Sequence, residues 1–348
     1  MPIDRKAAVI AAINHEETPL LPYRLDWEGD VGQGDIGQQL DAHFGSDDWR
    51  GHVRSYLEYC AYADDGIYRP GPDWTHDVYG CVWRRDRRPV HLEESVLKTP
   101  SLKGYRFPDP DELFPPGWEA AARENIENNA DRFTMGAIGQ GLFERCWALR
   151  GFIECLTDAA GEPEFFEELA EAVTEHQLQL IDRLLPLPLD GILLSDDWCD
   201  QRGVMIGPDR WREVLKPRIA RLYDRIKSAG KFTLQHSCGS VTPIIPDLVE
   251  IGLDVLESVQ PEAQDMDPCT LKQRFGKDIA FWGGLGSQSL IPMGTPDEVR
   301  DEVRRLAEHM RVGGGFIIAP SKSLQPETPI ANAVVLVEEF ITLGEEGQ

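Results

Sequence analysis

His236 and Cys238 carry the most distinctive chemistry in this chain of 348 residues. They close the run Phe232-Thr-Leu-Gln-His-Ser-Cys-Gly239, which begins as a β-favouring apolar stretch. On a strand, residues two apart point the same way. An imidazole and a thiol therefore look to one side, where the strand gives way to a glycine turn. Together they make half of a tetrahedral zinc site, which needs at least one more protein ligand and, if catalytic, an open position. A hydrogen-bonded histidine beside a small buried cysteine also explains the spacing.

The elements that must position this pair follow a regular rhythm. From residue 131 onward, short apolar runs alternate with amphipathic segments closed by glycine, and 133–138, 191–195, 232–235, 254–259, 279–282 and 316–319 read as strands. Thr295-Pro-Asp-Glu298 opens one of the helices as a capping box. Two earlier strands are expected at 19–27 and 66–70, with helices at 4–14 and 49–63. Residues 71–130 fit no simple repeat, except that 77–85 alternates like a hairpin. Eight strand–helix units point to a single (β/α)8 TIM barrel over residues 1–348, with an irregular insertion near 71–130. No G-x-G-x-x-G follows the first strand, which argues against a dinucleotide fold.

Barrels gather function at the C-terminal ends of their strands. The unusual polar residues of this chain fall there: Asp26 and Trp27; Arg69; Arg145 and Arg150; Asp196, Asp197, Trp198 and Gln201; His236 and Cys238; Glu257 and Gln260; and Lys322. Asp196 and Asp197, if both face the pocket, would repel one another and raise one pKa into general-acid range. In structural terms one would cap a helix and the other pair with Arg202. Arg150 could clamp a substrate carboxylate, whereas Arg145 is expected in a rim ion pair with Glu144 or Glu154. Trp27, Trp147 and Trp198 could wall a flat or methylated ligand. The other histidines, His176 among them, are expected at the surface or in caps.

The net charge of −25 argues against nucleic acid and anionic membranes as partners. Seven cysteines without a CxxC fit reduced thiols and a cytoplasmic setting. No apolar run approaches transmembrane length, and the N-terminus has no signal-peptide core.

The tracts FERCWALRG, SDDWCDQRG, HSCG, VQPE, WGGLGSQ and IIAPSKSLQPETP, in this order from about residue 136 onward, resemble the uroporphyrinogen decarboxylase superfamily. That superfamily also contains zinc-dependent corrinoid methyltransferases. The resemblance implies the same barrel and an enzyme with a small-molecule substrate. Its porphyrinogen decarboxylases carry an arginine-rich tract after the first strand and an Asp after the second. Here those places hold LDWEGDVG and Arg69-Pro-Gly-Pro72. Its methyltransferases take a later Cys as a further zinc ligand, where this chain has Lys322.

The resemblance therefore implies methyl transfer or demethylation of a small methylated substrate, with a thiol or a corrinoid on a partner protein as the other party. The alternative is a carboxy-lyase acting on uroporphyrinogen or another carboxylated ring; a catalytically silent binding protein is a third class. The expected metal ligands are His236 and Cys238 with Glu257, or an acid of the Asp196–Asp197 pair, as the third. Lys322 at the cysteine position predicts weak or absent zinc. Asp196, Asp197, Cys238 and Lys322 are the expected catalytic residues. Asp26, Trp27, Arg150, Trp198, Gln201 and Gln260 are expected to bind substrate.

Overall fold

The computed structural model describes residues 4–18, 20–27, 36–69, 72–86 and 90–345. Its strands, in chain order, are β1 (Leu57–Ala63), β2 (Trp74–His76), β3 (Val82–Arg84), β4 (His91–Glu94), β5 (Phe133–Ile138), β6 (Gly191–Ser195), β7 (Phe232–His236), β8 (Val255–Val259), β9 (Ala280–Leu285) and β10 (Phe316–Pro320). Seven of them form one curled parallel sheet in the order β1-β5-β6-β7-β8-β9-β10. Every residue of β5, β9 and β10 is buried. Such strands read as continuous apolar runs because helices cover their outer face.

The segment 20–27 runs beside both ends of this sheet. Tyr23 bridges Ile318 and Trp27 bridges Leu324, both in the parallel sense. Tyr56, just before β1, donates its N–H to the Tyr23 carbonyl at 2.9 Å.

Long amphipathic helices lie outside the sheet at Pro163–Leu184, Lys216–Lys227, Pro296–Met310 and Ile330–Glu345. The third opens on the expected capping box. The Glu298 N–H donates to Thr295 Oγ1 at 3.3 Å, and the Thr295 N–H donates to Glu298 Oε2 at 2.7 Å. Two aspartates stitch neighbouring strands near their starts. Asp190 Oδ2 accepts from the Thr134 N–H, and Asp254 Oδ2 accepts from the Thr233 N–H, each at 2.8 Å. These bonds hold the register that levels the far ends, where Ser195 faces His236 and His236 faces Glu257.

Two expectations for the N-terminal third fail. The helix expected over 49–63 is only Trp49–His52, and 57–63 is the strand β1. The register of β1 beside β5 supplies partners that its Glu-Tyr-Cys-Ala-Tyr sequence does not advertise. The strand expected at 66–70 is a turn instead, with Asp64 and Asp65 side chains accepting from the N–H groups of Gly66 and Ile67. Pro70 and Gly71 lie outside the described residues, as do Pro19 and residues 28–35 after the first segment.

The insertion contains β2, β3 and β4 as a small antiparallel sheet, followed by the helix Trp118–Asn128. Arg145 joins it to the main body. This guanidinium is 2% exposed, and it pairs with Asp65 at 2.8 Å and Asp77 at 3.3 Å. The expected rim pair with Glu144 or Glu154 is therefore replaced by a buried one. His176 is buried too, with Tyr79 Oη 3.1 Å from its Nε2. It is not the surface residue expected.

Candidate metal and active site

The ends of β6, β7 and β8 meet at His236. Its Nδ1 is hydrogen-bonded to Glu257 Oε2, from the facing register position on β8. Its Nε2 lies 3.5 Å from Asp197 Oδ1 at the end of β6. The Cys238 N–H donates to that same Asp197 oxygen at 2.9 Å. Asp197, His236 and Cys238 each offer a ligand atom, and these atoms all lie within 4.8 Å of one another. Partial exposure, 27% for the imidazole and 34% for the Asp197 carboxylate, leaves the cluster open to a ligand.

The turn that presents Cys238 depends on its neighbours. Gly239 has φ +81°, and a Cβ there would come within 2.8 Å of the Cys199 carbonyl oxygen. Its N–H donates to Gln260 Oε1 at 3.0 Å. Gln260 is 4% exposed, so it holds the turn and does not reach a substrate.

The donor set suits zinc: one soft sulfur, one imidazole nitrogen and one carboxylate oxygen, with room for a fourth ligand. Glu257 or an acid of the Asp196–Asp197 pair was expected as the third ligand. Glu257 takes the imidazole Nδ1, the kind of place where carboxylates orient metal-bound histidines, and it is Asp197 whose oxygen lies with the His236 and Cys238 donor atoms.

Charge also fits a cation. Burial opposes protonation of His236, but Glu257, the Cys238 contact and Asp197 together hold the imidazole well above its usual pKa. Burial pushes the Cys238 thiol up, partly opposed by His236. Glu144, on the first turn of the helix Leu142–Arg150, is pushed well up by burial and then by Asp197 and Asp196. The sequence sets Glu144 among the polar residues after a strand end but gives it no role beyond an ion pair with Arg145. Its place after the Gly-Gln-Gly turn that ends β5 was the available signal.

Asp196 plays a different part from its neighbour. Only 2% exposed, it accepts from the N–H groups of Phe143 and Glu144 at 2.9 and 2.8 Å and from Trp198 Nε1 at 2.6 Å. It thus caps the helix after β5 from the next strand. Burial raises its pKa to about 7 against the pull of these donors. Gly141 makes the approach feasible, because a Cβ there would sit 2.7 Å from Asp196 Cγ and from the Ser195 carbonyl oxygen.

The other expected substrate contacts divide. Asp26 is 42% exposed and accepts from Arg24 and from Ser323 Oγ, each at 3.2 Å. Trp27 is half-buried against Trp49, with ring centroids 5.1 Å apart. Lys322 is exposed after β10, its N–H donating to Ser287 Oγ at 2.9 Å. Gln201 is exposed, and its carbonyl accepts from the Gln264 N–H at 2.9 Å.

Two further expectations fail, because Trp198 and Arg150 are buried. Trp198 is 1% exposed and packs on Trp211, so it cannot wall a ligand. Arg150 is buried against Asp158, with Nε 2.7 Å from Oδ2, and it also donates to the Leu97 carbonyl. Neither Arg150 partner belongs to the His236 cluster. Arg202 approaches Asp200 at 3.7 Å and does not pair with the Asp196–Asp197 acids.

The sequence profile described as Uroporphyrinogen decarboxylase (URO-D) matches residues 94–342. The chain belongs to that family. Within it, residues of this chain are 24% identical over 174 positions to methylcobamide:CoM methyltransferase MtaA of Methanosarcina barkeri, covering 50% of this chain and 48% of that protein. They are 25% identical over 194 positions to uroporphyrinogen decarboxylase of Thermus thermophilus, covering 54% and 52%. The chain thus spans about half the length of the curated relatives it matches. A solved methyltransferase from Methanosarcina mazei superimposes with a TM-score of 0.67 at 20% identity, covering 97% of this chain and 98% of that one. That likeness establishes the shared fold. The named relatives include both methyltransferases and a decarboxylase, so membership of the uroporphyrinogen decarboxylase family leaves the reaction open. All seven cysteines are free. No helix among the described residues is long and apolar enough to cross a membrane.

Proposed function

We propose that this chain is a zinc-dependent methyl-transfer enzyme. It acts on a small methylated substrate, with a thiol or a corrinoid-carrying protein as the other party. The observation that carries the reading is the approach of Asp197, His236 and Cys238 donor atoms within 4.8 Å at the strand ends. Bound there, zinc would lower the pKa of an acceptor thiol or oxygen and leave it nucleophilic at neutral pH. Glu257 fixes the imidazole, and Asp197 aligns both the imidazole and the Cys238 backbone. With Asp197 as the third ligand, Lys322 need not supply one, which revises the expectation of weak zinc. The fold-level part of the proposal is a closed (β/α)8 barrel in one domain, with 20–27 as the eighth stave. Its bonds to Ile318 on one side and Tyr56 on the other support it.

The carboxy-lyase alternative needs cationic groups to grip a polycarboxylate ring. Arg24, Arg145 and Arg150 are each committed to aspartates, which favours methyl transfer.

Elemental analysis after zinc loading tests the site. The unaltered chain is expected to hold near-stoichiometric zinc, with most of it lost in Cys238→Ala. Glu257→Gln should weaken zinc about 10–100-fold through the freed imidazole. Absence of zinc in the unaltered protein, or unchanged zinc in Cys238→Ala, overturns the reading. Conversion of uroporphyrinogen to coproporphyrinogen would favour the alternative.

A further inference from the structure

We propose that Tyr59 is a specificity-determining residue of this site. Its hydroxyl donates a hydrogen bond to the small molecule held there, which carries an acceptor atom on the side away from the metal. This rests on the reading above for the location of the site and goes beyond it in naming a residue and the kind of group it recognises.

Tyr59 reaches the site from the opposite wall. It lies on β1, whereas Glu257, which supports His236, lies on β8. In the order β1-β5-β6-β7-β8 they are four strand spacings apart, about 19 Å along the sheet. A chain of contacts nevertheless brings the Tyr59 ring to the strand ends. The Arg24 guanidinium stands 4.5 Å from the ring centroid. Arg24 donates to Asp26 at 3.2 Å, and Asp26 accepts from Ser323 Oγ, just after β10, at 3.2 Å. Electrostatics agree: burial first, and then the Glu257 charge, hold the Tyr59 hydroxyl far above the usual tyrosine range, while Arg24 opposes them less strongly. Tyr59 and Glu257 therefore face one another across the hollow of the curled sheet.

The groups around Tyr59 are paired with each other. Arg24 is held by Asp26 and by the Leu57 carbonyl at 2.8 Å, and Asp26 by Arg24 and Ser323. The Tyr59 hydroxyl has no hydrogen-bond partner among the described residues, although the residue is half-buried. A hydroxyl taken from water without a partner is costly. Because it stays protonated at neutral pH, it is a donor left free on the wall opposite His236, and a ligand lying between the two walls satisfies it.

Calorimetry on the zinc-loaded full chain tests the inference with thiols, whose soft sulfur zinc accepts as a ligand. 2-Methoxyethanethiol and 3-methoxypropane-1-thiol carry an ether oxygen, which accepts but cannot donate, at two distances from the sulfur. Butane-1-thiol and pentane-1-thiol are their carbon isosteres. In at least one pair the preference for ether over alkane is expected to fall about fivefold in Tyr59→Phe, the worth of one hydrogen bond. Zinc content should stay as in the unaltered chain. The unfolding midpoint should not fall, because the hydroxyl removed makes no bond within the protein. An unchanged preference in both pairs overturns the inference. So does a lower zinc content or midpoint in Tyr59→Phe, which would give the hydroxyl a structural role instead. Zinc missing from the unaltered chain overturns the metal site and this inference with it, whereas bound zinc without a Tyr59-dependent preference counts only against Tyr59.

Discussion

Arg145→Met should destabilise the protein by about 3–5 kcal/mol, the usual result of removing one partner from a buried ion pair. The structure lets that figure be built from parts. Arg145 Nη2 donates to Asp65 at 2.8 Å, a charge-assisted bond of about 1.5–3 kcal/mol. Its Nη1 reaches Asp77 at 3.3 Å, a longer and weaker contact. The guanidinium also sits 3.6 Å from the Tyr79 ring centroid, worth about 1–2 kcal/mol when desolvated. Against these gains stand the desolvation of the guanidinium and of its Nε, which is buried without a partner. Met refills much of the volume, so the cavity contribution is small.

What dominates is the charge left behind. Asp77 has a fully buried side chain, and burial already raises its pKa against Arg145 and its three other donors. Denaturant unfolding measured at neutral pH checks the figure. In a double-mutant cycle, Asp77→Asn should cost less in the Arg145→Met background than in the unaltered protein. A loss below about 1 kcal/mol, or strictly additive effects, would show that this pair does not tie the insertion to the main sheet and its helices.

Two further predictions concern stability. His176 is held neutral by burial and by Arg145, its pKa lowered to about 4. Its contribution is complete above the unfolded value of about 6.5 and is lost as pH falls toward 4, because the unfolded chain takes up the proton first. That loss amounts to about 3 kcal/mol. Unfolding midpoints between pH 7 and 4.5 should therefore fall more steeply in the unaltered protein than in His176→Phe, and parallel slopes would contradict the assignment. Gly141→Ala forces a Cβ against Asp196 and the Ser195 carbonyl and should cost about 1–3 kcal/mol. An unchanged denaturation midpoint would show that the loop yields freely.

Local chemistry determined much of what this chain becomes. The alternation of apolar strands and glycine-stopped helices beyond residue 131 is a local pattern, so it survives without tertiary knowledge. The Thr295–Glu298 capping box is likewise closed within four residues. His236 and Cys238 share a direction because a strand has a period of two. Glu257 was legible as their neighbour because it lies on the following strand.

Tertiary structure decided the rest, because it depended on which face of each strand end turns inward. Asp196 and Asp197 are adjacent in sequence, yet one is consumed in capping a helix and the other faces the imidazole. Nothing local distinguishes them. The partners of Arg145 lie 80 and 68 residues away, in a turn and a hairpin, so an ion pair with a nearby Glu was the wrong inference. β1 lacks a strong β signature and becomes a strand because β5 offers it a parallel edge. Glu257 became the support of the histidine because register set it beside Nδ1, leaving Nε2 to face Asp197.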